Sequence, residues 1–205
     1  MKIKPIIHRI SMFLLFTCTV LAFMFFFPGC NAIENLTNSG SKLVIVKITG
    51  NDIEGNEDST IAFSDVVTSS GTIFNDNGQL TAKTVLLDPL ATSPTFYQDV
   101  IIDQVDVEYS RSNGLNVQGR DVPFSFSQKV TFRVAVNETL KFSFVLIQHT
   151  AKMEEPLVDL RDSGEEIVIK LEVKLTFHGK DLAGRRVEPA VGYISVWCAN
   201  FADTK

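Results

Sequence analysis

The tightest constraint on the fold is a period-two alternation of apolar and polar residues in the second half of the chain. Leu140, Phe142, Phe144 and Leu146 are separated by Lys141, Ser143 and Val145, so an extended backbone puts four large apolar groups on one face. Val130, Phe132, Val134 and Val136 do the same one segment earlier. Only Asn137, Glu138 and Thr139 separate the two runs, a spacing that predicts a tight hairpin. Over Val100–Ser110 the apolar set is Ile101, Val105, Val107 and Tyr109, with Asp103 as the exception.

The last two strands test the pattern against itself. Glu166–His178 and Val187–Asn200 pair as a hairpin closed by residues 179–186. With His178 opposite Val187, Leu171 faces Ile194, Ile169 faces Val196 and Ile167 faces Cys198. The other face then pairs Val168 with Trp197, Lys170 with Ser195 and Glu172 with Tyr193. A slip of one residue would set apolar side chains against polar ones.

The first half is less regular. Leu43–Ile48, Ile61–Val67, Thr72–Phe74 and Gln79–Leu87 read as strands, with a turn at Asn75–Gly78 and a break between Pro89 and Pro94. About seven to nine strands with short turns and no helical period predict an all-β, antiparallel β-sandwich rather than a parallel α/β sheet. An up-and-down barrel is the alternative, without even strand spacing to favour it.

The amino terminus follows another rule. Lys2, Lys4 and Arg9 precede an uncharged apolar run of about 18 residues, Ile10–Phe27, that ends in Pro28, Gly29 and Cys30. This is the layout of a secretory signal, although the run is long enough to touch the lower limit for a spanning helix. Phe27-Pro28-Gly29-Cys30 resembles the lipobox of bacterial lipoproteins. The resemblance implies a signal peptide over residues 1–29, a thioether-linked lipid on Cys30, a tether over residues 30–41 and a sandwich domain over 42–205. It makes the membrane a partner through the lipid on Cys30. An uncleaved anchor helix and full secretion are the alternatives. Asn31 after the cysteine implies, by the sorting pattern of enteric lipoproteins, the outer membrane.

Two further segments carry a resemblance. Thr176–Gly184 is similar to the closing hairpin of bacterial immunoglobulin-like modules, which implies an immunoglobulin-like sandwich. Tyr109–Pro123, with His149–Pro156, resembles segments of exported bacterial β proteins and lipoproteins. These likenesses imply a fold and a cell-envelope location and carry no activity.

The chain's net charge is −5 and becomes more negative without Lys2, Lys4 and Arg9. An acidic chain lacks the concentrated Lys/Arg face that phosphate backbones require, so nucleic acid is not an expected partner. Cys18 lies in the signal and Cys30 carries the lipid, so Cys198 is expected without a disulfide partner, as a small buried hydrophobe.

The candidate binding residues are Arg111, Arg120, Tyr193 and Trp197. Arg111 and Arg120 sit in one long connection and have the geometry to grip an anion; the plainer account is a loop pinned by a pair with Asp121. Tyr193 and Trp197 share a strand face and offer aromatic surface for a glycan or an envelope protein, unless another segment covers them. Neither a Gly-x-Ser-x-Gly elbow nor a zinc-ligand spacing is present. The acidic loop Asn51–Asp58 lacks the EF-hand order and reads as a solvated loop. His149, expected opposite Phe126, reads as structural. No cofactor, no metal and no catalysis are expected, and the functional expectation is a membrane-anchored, non-catalytic structural or binding module. The alternative is a secreted carbohydrate-binding module or hydrolase with a surface site near Tyr193 and Trp197.

Overall fold

A computed structural model of the chain describes residues 38–88, 90, 93–163 and 167–201. The expected signal, Cys30 and the tether as far as residue 37 lie outside the described residues. Eight strands follow: β1 (Ser41–Gly50), β2 (Ile61–Asp65), β3 (Asp76–Leu86), β4 (Val100–Ser110), β5 (Phe126–Val134), β6 (Thr139–Ile147), β7 (Ile169–Asp181) and β8 (Arg186–Ala199). They form a three-stranded sheet, β1-β3-β6, and a five-stranded sheet, β2-β8-β7-β4-β5, packed as a β-sandwich. Every pairing between these strands is antiparallel except β2 with β8, which is parallel. β2 arrives from the opposite sheet, so no hairpin dictates its direction.

The core forms where the alternation predicts. Phe142, Phe144 and Leu146 of β6 are buried and meet the inner face of the five-stranded sheet. Phe142 stacks on Phe132 at 4.0 Å between ring centroids, and Phe144 meets Phe177 edge-on at 5.6 Å. Fully burying each such ring contributes about 1.5–3 kcal/mol. Tyr109 is also buried, and its hydroxyl donates to the Leu146 carbonyl oxygen across the layers at 2.7 Å.

The predicted hairpin between β5 and β6 does not form. The two strands belong to different sheets, and Asn137, in the left-handed region at φ 64°, turns the corner between them. Their apolar faces therefore oppose each other through the core instead of lying side by side. Gln128 supplies a lateral link: its amide nitrogen donates to the Val145 carbonyl oxygen at 2.7 Å, and its amide oxygen accepts from the Val145 N–H at 3.0 Å.

Two β-bulges correct the expected faces. One lies in β4 between Ile102 and Gln104, so the polar exception Asp103 is the extra residue, and Ile102 rather than Ile101 points into the core. The other lies in β8, where Glu188 and Pro189 together stand opposite His178 of β7, and it shifts the closing hairpin. Ile169 faces Cys198, Leu171 faces Val196 and Val173 faces Ile194. A Cβ on Gly179 would sit 2.5 Å from the Ile101 carbonyl oxygen, so β7 and β4 approach too closely for a side chain there. Thr72–Phe74 is not a strand, and the predicted turn at residues 75–78 belongs largely to β3, which starts at Asp76. Gly78 is a strand residue over which the Phe144 ring lies.

Candidate functional site

Tyr193 and Trp197 lie on the outer face of the five-stranded sheet, as predicted, but their cross-strand partners differ. Tyr193 is 59% exposed and opposes Lys174, whose ammonium reaches Glu108 at 3.3 Å. Trp197 opposes Lys170, whose Nζ stands 4.1 Å over the indole. It is half-buried because Phe63 of β2 packs against it at 5.5 Å, and Phe201 extends the row at 5.6 Å from Phe63. The outer face thus carries one held aromatic strip, with Tyr193 free at its end.

Arg111 and Arg120 converge on the chain's own Asp121. Arg120 forks the carboxylate with Nε at 3.0 Å and Nη2 at 2.8 Å, while Arg111 Nη1 donates to the Asp121 carbonyl oxygen at 3.4 Å. The Val117 N–H completes the cage at 3.0 Å. The Arg120 hydrogen bond, helped by Val117, holds the Asp121 carboxyl below the usual carboxylate range. The two guanidinium groups therefore close the loop on itself. Arg120 remains 64% exposed, so solvent screens the pair and it contributes little to stability.

His149 is not opposite Phe126. Its backbone N–H and ring Nδ1 both meet Asn75 Oδ1, at 2.7 and 3.0 Å, which ties the start of the β6–β7 connection to the approach of β3. In the acidic loop, Asp52 accepts from Glu54 N, Asn56 N and Asn56 Nδ2 at 2.8–2.9 Å. Those bonds, led by the Asn56 side chain, lower its pKa and turn the carboxylate onto its own loop. No group of three His, Cys, Asp or Glu side chains placed to hold a metal occurs among the described residues.

A cavity of about 690 Å³ opens where the two bulges align, walled in part by Lys42, Asp103, His178, Lys180, Arg186 and Glu188. Tyr193, Trp197, Arg111, Arg120 and His149 are not among its walls. His178 is oriented from behind by Asp106, with Nε2 2.7 Å from Oδ2. Burial raises the Asp106 carboxyl, but hydrogen bonds from Ser127, Gln104 and His178 outweigh it and leave the pKa lowered. The side chains of Asp103, Lys180 and Arg186 have no hydrogen-bond or ion-pair partner among the described residues. Sequence reasoning missed this site because bulges, not periodicity, create it; the break at Asp103 was its one visible signal.

A second cluster is sealed. Lys152, in the 3₁₀ turn Ala151–Met153 of the β6–β7 connection, is 1% exposed and donates to the Asp65 carbonyl oxygen at 2.7 Å and to Asp76 Oδ1 at 2.9 Å. Cys198 lies nearby as a buried free thiol, the role predicted for it. Burial, with the Asp76 charge, pushes that thiol up to about 12. At pH 8 the native thiolate fraction is then roughly a thousandfold below that of an unfolded cysteine. Iodoacetamide at that pH is expected to leave Cys198 untouched in the folded protein and to alkylate it in urea. Rapid native alkylation of Cys198, located by peptide mass mapping, would contradict the burial.

No family model matches the chain, and neither a curated protein nor a solved structure matches it. Among the described residues, no helix is long and apolar enough to cross a membrane.

Proposed function

We propose that the chain is a lipid-anchored bacterial cell-envelope protein whose β-sandwich is a non-catalytic structural or binding module facing the periplasm or the cell exterior. The observation that carries this reading is the order basic residues, apolar run, Gly29-Cys30, then a short polar stretch leading into β1 at Ser41. The pairings of the domain support a non-catalytic role: Arg133 with Asp99 and Lys152 with Asp76 tie distant segments together, while Arg120 with Asp121 and Arg185 with Asp181 close their own loops. Tyr193 and the strip behind it are the surface such a module would present to an envelope protein or glycan. Growth with labelled palmitate tests the anchor. Label that stays on the chain after organic extraction and maps to Cys30 supports it; an unlabelled chain overturns it.

The 690 Å³ cavity favours a second reading, a secreted glycan-binding module or hydrolase. His178 backed by Asp106 has the arrangement of an oriented general base, and Asp103 can accept hydroxyl hydrogens. This site lies away from Tyr193 and Trp197, where the sequence located it. Titration with envelope glycan fragments decides between them: chemical-shift changes in the Asp103 and His178 region would favour the second reading.

A further inference from the structure

We infer that Leu87, Leu90, Phe96 and Tyr97, described residues between β3 and β4, form a membrane-docking surface that seats one end of the sandwich in the bilayer interface. The inference rests on the tether reading above and adds a second point of membrane contact to it.

Leu87, Leu90, Phe96 and Tyr97 are 59%, 83%, 58% and 53% exposed. Single exposed apolar residues are ordinary, but four large ones in a single connection need an occupant. Phe96 and Tyr97 are stacked on each other at 4.0 Å, so the rings form one projecting block. The block is held from beneath. Thr95 N–H donates to Gln98 Oε1 at 2.8 Å, and the Asp99 carboxylate accepts from Arg133 Nε at 2.9 Å and from the Val136 N–H at 3.0 Å. A rigid mount loses little conformational entropy on docking.

The occupant follows from where the chain enters the domain. Ser41 Oγ donates to the Gln98 carbonyl oxygen at 2.6 Å, and Leu87 N–H donates to the Gly40 carbonyl oxygen at 2.8 Å. Both feet of the connection are therefore bonded to the first residues of the domain. Cys30 precedes Asn38 by eight residues, which can span at most about 28 Å. β1 itself, ten residues long, extends about 33 Å. A lipid on Cys30 thus keeps the Phe96 end within reach of the bilayer, whereas the opposite end, with Ile53, stands a strand length farther off. At that tether length the local concentration is on the order of millimolar, so weak insertion is enough to populate the docked state.

The chemistry suits a lipid interface better than a charged partner. Tyr and Phe place an apolar ring among acyl chains and, in Tyr97, a hydroxyl among headgroups. Lys42, Lys180 and Arg186 wall the cavity that Leu87 borders together with Asp103 and Glu188, and with Asp88, the next residue in the chain, the two signs balance. Insertion is therefore expected to be apolar and not to require anionic lipid.

The test uses the full lipidated chain in phosphatidylcholine vesicles with bromine on the acyl chains. The Phe96→Trp, Trp197→Phe protein places its single tryptophan in the connection, and the Ile53→Trp, Trp197→Phe protein places it at the far end. Several-fold stronger quenching in the first protein is the expected result. Equal, weak quenching in both, with the protein still floating with the vesicles, overturns the docking surface and leaves the tether standing. Equal, strong quenching overturns the orientation. Protein that does not float with the vesicles removes the tether and the docking surface together.

Discussion

Replacing Lys152 with Met is expected to destabilise the sandwich by about 3–5 kcal/mol, the cost of stranding a buried carboxylate. Lys152 is among the largest of the fully buried side chains, and its ammonium bridges the carbonyl of Asp65 in one sheet to the carboxylate of Asp76 in the other. For a chain of this size the loss corresponds to a fall in melting temperature on the order of 10 °C. Burial already pushes the Asp76 carboxyl up, against the pull of Lys152, and in the variant that pull is gone. The folded state then holds a proton that the unfolded chain, with an Asp pKa of about 3.9, gives up. The stability associated with that proton is complete below the unfolded value and is lost as pH rises through the folded one. Urea midpoints should therefore show a larger deficit at pH 8 than at pH 5. Adding Asp76→Leu removes the stranded charge and should recover most of the loss, whereas Arg120→Met, which breaks an exposed and screened pair, should leave the urea midpoint nearly unchanged. A Lys152→Met loss under about 1 kcal/mol would mean the ammonium is not sealed in the core.

The layers of this fold were legible because period two is a statement about faces. It is not a statement about neighbours, and that marks where the reading stopped. Val130, Phe132, Leu140 and Phe142 were correctly assigned inward faces, yet the same alternation fits two strands side by side or two strands opposed through the core. Asn137, whose left-handed turn sends β6 into the other sheet, goes with the second, and it has no periodic signature. The closing hairpin shows a related ambiguity. Its predicted register differs by two residues from the one observed, an offset that keeps apolar against apolar. One residue of the difference comes from the turn, where Gly179 rather than His178 meets Val187; the other comes from the bulge beside Phe177. Either alone would have reversed the faces.

The candidate sites were legible to the same depth. Tyr193 and Trp197 were placed on an outer face by parity, but their partners Lys174 and Lys170 depended on register. Phe63 was out of reach because β2 joins β8 in parallel, and a parallel neighbour leaves no mark in either strand's own sequence. The Arg120–Asp121 closure followed from adjacency in the chain. Lys152 was unreadable, since a lone lysine in a loop looks solvated until Asp65 and Asp76 converge on it from 87 and 76 residues away. The Leu87–Tyr97 connection was read only as a break between strands, because proline positions mark where a strand stops and not where the following side chains point.

Replacing Cys30 with Ser is expected to change the protein's mass and lipid content completely. A serine hydroxyl cannot supply the thioether sulfur, so the variant should carry no fatty acid. In the lipobox reading, acylation marks the chain for cutting, and the variant should also keep residues 1–29. The wild-type chain should be shorter, lipidated and extracted from membranes only by detergent, because each buried acyl CH₂ contributes about 0.8 kcal/mol and two or more chains make the anchor stable. The competing readings predict different pairs of results. If Ile10–Phe27 stays as an anchor helix, wild type and variant have the same full length, no lipid, and equal membrane retention. If the chain is secreted, both are cut, lipid-free and soluble. Intact mass and fatty-acid analysis of the two proteins therefore separate three modes of export with one substitution. A wild-type chain of full length without lipid would leave Gly29-Cys30 as an ordinary pair of residues beside an apolar run.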